Sequence, residues 1–590
     1  MNSGRPVPVW FGPDESPLFG VLHIPEAPTR GAIVLCPPLG REYVYSHSTF
    51  VKLATDLARL GLAAFRFDYR STGDSFDRVA DDLNRGGFGH DVRLAVEFVR
   101  TLGVAHVGIV GMRLGANFAG LQRGCEPVDA MVMWDPCPTG RSFLREQRAL
   151  GLFGGVLTAE DANTIDLPGF ELSSEMSKEI SALDLTEGQL GPVAAGGLAD
   201  RVLLLTRSER SADRKIVEGF DLAHVEHREV PGQPLLLDVH DDWPVVPTEG
   251  LATVSEWLDK VMAHGGSTIV VPTQSEVVVR TASGGSSSGE VPTGGTVLIR
   301  ERSVRLGPEG LFGIETEGDA TSRSPVCIFV SVANEHRVGP GRLWVQLSRS
   351  LAAEGFRCVR YDVTGFGDSP PRAGVSLQSM HSLDAIDDVL EVARAVSPEV
   401  PREVVLFGLC SSGYQVLEAS LRLSPRGVCA MNPSVLFRPA EMASGGSMDP
   451  RRRFCVPEDL TLAGARESRA GRWLKRRFPK PVTRLSGRLW SVVGFFRDGL
   501  GARLGDLVRA GTEVLLIGNE HEVQPFMESG VSAVRRPEQK ARLQIEVIHT
   551  LNHGLVPSRD RQQVTELVLD FVLTRFRRPP EAEPSRQPLG

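Results

Sequence analysis

The segment LATDLARLGLAAFRFDYRSTGDS at residues 53–75 returns as LSRSLAAEGFRCVRYDVTGFGDS at residues 347–369. At this offset of 294 residues Asp68 meets Asp362, Gly73 meets Gly367, and Asp74-Ser75 meets Asp368-Ser369. HVGIVGMRLGANFAG (106–120) then faces EVVLFGLCSSGYQVL (403–417) at an offset of 297. WPVVPTEGLATVSEWL (243–258) faces HGLVPSRDRQQVTELVLDFV (553–572) at an offset of 310. A unit of about 290 residues is the size of a domain, far beyond the 20–50 residues of a solenoid repeat. One topology is therefore expected twice, and a length of 590 residues has room for it. The expected division is a domain at 1–263, a flexible linker at 264–295 containing TASGGSSSGEVPTGG, a domain at 296–577, and a Pro-rich disordered tail at 578–590.

Each copy alternates short runs that are apolar on both faces with amphipathic stretches ending at Gly. In the first copy the runs are AIVLC (32–36), AAFRF (63–67), HVGIVG (106–111), DAMVMW (129–134) and RVLLL (201–205). In the second they are VCIFV (326–330), RCVRY (357–361), EVVLFG (403–408), GVCAM (427–431) and EVLLIG (513–518). Strands without a polar face, separated by helices, predict an α/β fold: a mostly parallel sheet covered by helices on both sides, in each copy.

GMRLG (111–115) and GLCSSG (408–413) each follow such a strand and open a helix, the context of a nucleophile elbow. With these motifs both halves resemble the α/β-hydrolase superfamily. GLCSSGY, NEHRVGPGRLW and RYDVTGFGDS are similar to bacterial serine aminopeptidase-like and exosortase-associated hydrolases. PPLGREYVYSH, FRFDYRSTGDS and GMRLGA are similar to sister members with Arg at the elbow. The resemblance implies a cap inserted after the strand that follows each elbow, and the order nucleophile, acid, histidine along the chain.

In the second copy Cys410 stands at the centre of the elbow, where a helix N-terminus favours a thiolate. A small buried filler is the other reading of Cys410, and Ser411 or Ser412 takes its place if the turn shifts. The amide of Ser411, with one from the loop near Ala333-Asn334, is expected to face the oxyanion. His553, in the position where the superfamily keeps its catalytic histidine, is the expected base, with His549 as alternative. Glu522 is the expected acid, with Glu520 second; both also read as surface charges in a loop. In the first copy Arg113 replaces the nucleophile, and arginine stays protonated and cannot attack a carbonyl. Trp243 aligns with His553 there, and Glu209, Asp213 and His240 remain as candidates without a clear register, so this copy is expected not to hydrolyse anything. Arg113 reads equally as an anion-binding residue or a structural one. Asp68 and Asp362 are expected to cap backbone amides of their Gly-rich turns rather than serve a nucleotide.

A net charge of −8 argues against a general nucleic-acid or membrane binder. Eight scattered cysteines without a CxxC pair read as reduced thiols with no metal spacing. No secretory signal or long apolar run is visible, so a cytoplasmic protein with no transmembrane segment is expected, and no cofactor or metal is implied. The cap of the second copy, about 434–512, departs from the overall balance: residues 451–509 hold fifteen Lys and Arg against five Asp and Glu. Aromatic and aliphatic residues interleave with the charges. A solvated helical face is one reading. Docking of an acidic acyl carrier protein, or of the phosphates of acyl-CoA, is another, and a weak peripheral membrane contact a third. Two functions are thus expected in competition. One is a hydrolase or acyltransferase (a thioesterase or esterase) using Cys410, His553 and Glu522 on an ester or thioester. The other is a catalytically inactive binding or scaffold protein.

Overall fold

The computed structural model describes residues 6–577 except 27, 79–86, 122–125, 154–163, 168–169, 187–198, 208–215, 219–224, 239–243, 264, 267, 272–274, 283–295, 320–324, 333–334, 373–383, 434–499 and 535. Most of the basic cap, the tail after Arg577, Asn334, Glu209, Asp213, His240 and Trp243 lie outside the described residues. The described chain divides into two compact units, Met1–Gln378 with Gly554–Gly590, and Ser379–His553.

The larger unit holds β1 (Pro6–Phe11), β2 (Leu18–His23), β3 (Gly31–Cys36), β4 (Leu62–Phe67), β5 (Val107–Met112), β6 (Val128–Trp134), the hairpin β7 (Thr164–Leu167) and β8 (Phe170–Ser173), β9 (Ala199–Thr206) and β10 (Val225–Glu229). Eight of these form one sheet in the order β1-β2-β4-β3-β5-β6-β9-β10. Only the β1/β2 and β2/β4 pairs are antiparallel; from β4 onward the pairs are parallel. The sequence of β3 explains its place at the centre. Ile33 and Leu35 enter a core with Leu53, Leu57 and Trp257, while Val34 and Cys36 enter a core with Phe88, Val92 and Val99. A strand that buries both faces has no use for a polar side chain.

The same unit continues with β11 (Glu276–Ala282), β12 (Thr296–Leu306), β13 (Leu311–Gly318), β14 (Val326–Val330) and β15 (Cys358–Tyr361). The antiparallel run β11-β12-β13-β15 is followed by the parallel pair β15/β14. The strand β11 lies inside the stretch read as linker, and its VVVRT carries the β-branched residues that a strand prefers. The smaller unit holds β16 (Val404–Leu409), β17 (Gly427–Met431), β18 (Glu513–Gly518) and β19 (Leu543–Val547), parallel in that order. In hydrogen-bonded order β12-β13-β15-β14 repeats β1-β2-β4-β3, and β16-β17-β18-β19 repeats β5-β6-β9-β10. The duplication read from the sequence is thus a duplication of topology.

Within the larger unit the duplicated RxDxxxxGDS turns face each other. Arg66 bonds Asp368, and Arg360, at the equivalent position, bonds Asp74 at 3.2 Å. This exchange, residue i on j and the equivalent of i on the equivalent of j, is the signature of an isologous interface. Arg337 joins both sides, at 2.7 Å from Asp74, 2.8 Å from Asp362 and 3.0 Å from Asp368. Inside each turn the first aspartate does cap backbone: the amides of Asp74 and Asp368 donate to Asp68 and Asp362 at 2.9 Å. The turn glycines are required for that bond. A Cβ on Gly73 (φ 50) would fall 2.0 Å from Asp68 Oδ2, and one on Gly367 (φ 53) 2.2 Å from Asp362 Oδ2.

Candidate active site

The elbow lies in the smaller unit. Leu409 ends β16, Cys410 takes φ 53 and ψ −115, and the helix Ser411–Leu423 begins at once. A non-glycine residue in this region carries strain, which the surrounding bonds hold in place. The Cys410 amide donates to the Met431 carbonyl at 3.0 Å, and the Cys410 carbonyl accepts from the Tyr414 amide at 3.2 Å. Gly408 makes room for the turn, since a Cβ there would meet the Ser412 carbonyl oxygen at 2.3 Å. The Ser412 hydroxyl donates to the Leu409 carbonyl and accepts from its amide, both at 3.0 Å. That ties Ser412 to the underside of the turn, while Cys410 occupies the strained apex. Ser411 is the first helical residue, so its amide lies at the helix N-terminus.

The three sequence candidates meet. His553 Nε2 is 3.0 Å from Cys410 Sγ, and His553 Nδ1 is 2.9 Å from Glu522 Oε1. Cys410 is 8% exposed, enough to reach without being bathed in water. Burial opposes a charged imidazole, but the bonds to Cys410 and Glu522 and the charges behind them raise the His553 pKa to about 10. Glu522 sits on the first turn of the helix Glu520–Ala533 rather than in a loop. Asn519 caps that helix, its Oδ1 accepting from the amides of His521 at 3.0 Å and Glu522 at 3.1 Å. Glu520 points elsewhere: its side chain is 66% exposed, against 26% for Glu522, and lies 3.6 Å from His549. Both sequence alternatives, Glu520 and His549, are thus paired with each other.

Asn432, which sequence reading passed over, follows β17 with φ 39 and is fully buried. Its Nδ2 donates to the carbonyls of Asn552 at 3.1 Å and His553 at 2.9 Å, and its Oδ1 accepts from the Asn519 amide at 3.3 Å. A signal for it was present: MNPS (431–434) repeats WDPC (134–137) at the elbow offset of 297, a polar residue ending an apolar strand.

The first copy keeps the bend and changes the chemistry. Arg113 takes φ 52, matching Cys410, yet its side chain is 1% exposed. It lies 3.1 Å from Glu42, 2.9 Å from Glu146 and 3.8 Å from Asp135. Asp135, the counterpart of Asn432, is also held by Arg207 at 2.6 Å. Three carboxylates thus surround the Arg113 guanidinium inside the protein. Burial pushes Glu42 up to about 7 despite the adjacent guanidinium. Among the described residues no group of three or more His, Cys, Asp or Glu side chains is arranged to hold a metal ion. No described helix is long and apolar enough to cross a membrane.

Residues 337–567 match the family model described as Alpha/beta hydrolase family. Comparison with curated protein sequences returned no match. Among solved structures, a soluble variant of monoglyceride lipase from Saccharomyces cerevisiae is similar at 13% identity and a TM-score of 0.32, covering 45% of this chain and 98% of that one. XC6422 from Xanthomonas campestris, an a/b serine hydrolase without lid, is similar at 17% identity and a TM-score of 0.28, covering 45% and 98%. Est1E from Butyrivibrio proteoclasticus is similar at 16% identity and a TM-score of 0.30, covering 44% and 98%.

Proposed function

Since residues 337–567 carry an alpha/beta hydrolase domain, we propose that the second copy hydrolyses or transfers an activated acyl group from an ester or thioester, with Cys410 as nucleophile, His553 as acid–base and Glu522 as its orienting acid. The observation that carries this reading is the unbroken line from Sγ through the imidazole to the carboxylate, at 3.0 and 2.9 Å. The contact of His553 Nε2 with Sγ supports a thiolate–imidazolium pair as the attacking form. Sγ adds to the acyl carbon, and the oxyanion that forms is stabilised by the Ser411 amide at the helix N-terminus. The C–O or C–S bond to the leaving group then breaks, and His553 Nε2 supplies the proton that the leaving group takes away. Water or another acceptor, losing its proton to His553, releases the acyl group and regenerates the thiolate. A thiol nucleophile suits esters and thioesters because their leaving groups need little protonation.

The concentration of Lys and Arg at 451–509 supports an acyl group delivered on CoA or on an acidic carrier protein. The first copy acts in this reading as a folded companion without chemistry of its own. The test is intact-mass spectrometry after exposure to a panel of simple esters, acyl-CoA and carrier-bound thioesters. The expected result is one acyl adduct on the wild type and none on Cys410→Ala, whose circular dichroism and melting remain those of the wild type. Wild-type protein that gains no adduct from any donor, and none from a thiol-directed acyl probe, overturns the proposal.

A further inference from the structure

The dipeptide Met431-Asn432 bonds the main chain at the elbow, beside the acid-bearing helix and at the histidine. The Met431 carbonyl accepts the amide of Cys410, and the Asn432 amide donates to the Ile517 carbonyl at 2.8 Å, at the end of the strand that leads to the acid. The Asn432 side chain then spans the two segments that must converge. Its Oδ1 holds the amide of Asn519, the cap of the helix carrying Glu522. Its two Nδ2 hydrogens hold the carbonyls of Asn552 and of His553 itself. An amide is the side chain for this task, because it donates twice and accepts within one plane. A left-handed backbone at position 432 is one that Asn tolerates better than most residues.

We propose that Asn432 is the positioning residue of the site, a buried clamp that fixes the acid-bearing helix and the histidine-bearing loop as one piece relative to the elbow. The inference rests on the Cys410–His553–Glu522 reading and adds to it the part that sets its geometry. Without the clamp the carbonyls of Asn552 and His553 lose the two bonds from Asn432, and the imidazole is less firmly held against Sγ. A displacement of about 1 Å at a reacting group costs on the order of 100-fold in rate. The first copy supplies the contrast. There the equivalent residue is Asp135, with φ 49, and it grips the cations Arg113 and Arg207 rather than backbone carbonyls. The change from amide to carboxylate accompanies the loss of the nucleophile.

The test compares Asn432→Ala and Asn432→Asp with the wild type in the full chain. The Asp variant keeps an oxygen for the Asn519 amide but turns a carboxylate toward the carbonyls of Asn552 and His553, and the Asp135 backbone shows that this residue is accommodated in the same bend. Two readouts are used: kcat and KM with whichever acyl donor labels Cys410, and the rate of Cys410 alkylation by iodoacetamide at pH 6, where an ion-paired thiolate reacts and a neutral thiol barely does. Both variants are expected to lose 10- to 100-fold in kcat with KM within about twofold, and about tenfold in alkylation rate. Variants that keep the wild-type alkylation rate and kcat overturn the role of Asn432 while leaving the triad standing. A wild-type rate at pH 6 no faster than that of a free thiol sinks the triad and the clamp together. A fall in KM-linked binding alone, with alkylation unchanged, also counts against positioning.

Discussion

His23, His47 and His336 lie close together in the larger unit, on the walls of a cavity of about 30 Å³ or beside it. The rings of His47 and His336 stand 4.2 Å apart, and Tyr43 donates to Asp68 at 2.8 Å with His336 Nε2 3.0 Å from the same hydroxyl. His47 Nε2 and His336 Nδ1 are sealed from solvent without a hydrogen-bond partner among the described residues. Burial, reinforced by the Arg66 guanidinium, pushes His23 down to about 3. Burial and Arg337 hold His336 well below the ordinary imidazole value, and burial and the His336 ring do the same for His47. Unfolded, each imidazole takes a proton near pH 6.5. Below that pH the unfolded chain binds more protons than the native one, so the stability these rings confer is whole above 6.5 and is lost as pH falls below it, down to about 3 for His23. The limiting slope is about 1.4 kcal/mol per pH unit for each ring. Asp68 and Asp362, pushed up to about 6 chiefly by burial, act in the opposite sense. The informative quantity is therefore a difference. The urea midpoint of the wild type should fall faster between pH 7 and pH 5 than that of His47→Asn/His336→Asn, and parallel curves would refute the assignment.

Among elements, the helix Glu520–Ala533 matters most, because its first turn delivers Glu522. Removing its cap with Asn519→Ala should cost about 1 kcal/mol in urea unfolding. It should also lower kcat more than it raises KM, since the lost cap holds the amide of Glu522 itself. Asn519→Ser, which can cap, should recover most of the stability. The two elbows show how much the strand–turn–helix element fixes by itself. Cys410 and Arg113 share a backbone conformation within a degree of φ although one is a thiol and the other a guanidinium. The elbow spacing could therefore be read from local sequence, down to the glycines whose Cβ would strike the following helix at Gly408 and Gly111. The acid could not be read so far, because Glu520 and Glu522 lie two positions apart and only the direction of a helix separates them.

At the scale of the whole chain the duplicated turns do more than their sequence announces. Arg360 is fully buried, bonded to Asp74 of the first copy and at 2.9 Å to Glu301 of the second. Arg360→Met should lower stability by about 3–5 kcal/mol, because it leaves buried carboxylates short of a cation. The loss is read as a shift of the urea midpoint. An unchanged midpoint for Arg360→Met would mean that the exchanged ion pairs do not hold the two copies together.

Sequence alone was enough for the doubled α/β topology, for the elbows and for the identities at their apices, because each of these is written in short-range spacing: two-sided apolar runs, glycines around a sharp bend, a fixed offset between copies. Tertiary structure decided which carboxylate reaches the imidazole, that Arg113 is surrounded by Glu42, Glu146 and Asp135, that β11 leaves the linker to join a sheet, and that Asn432 ties residues 519 and 553 together. Each of those outcomes joins groups tens to hundreds of positions apart. A polar residue at a strand end looks the same in sequence whether it meets water, an arginine or a carbonyl, and only packing determines which neighbour is present when burial removes the water.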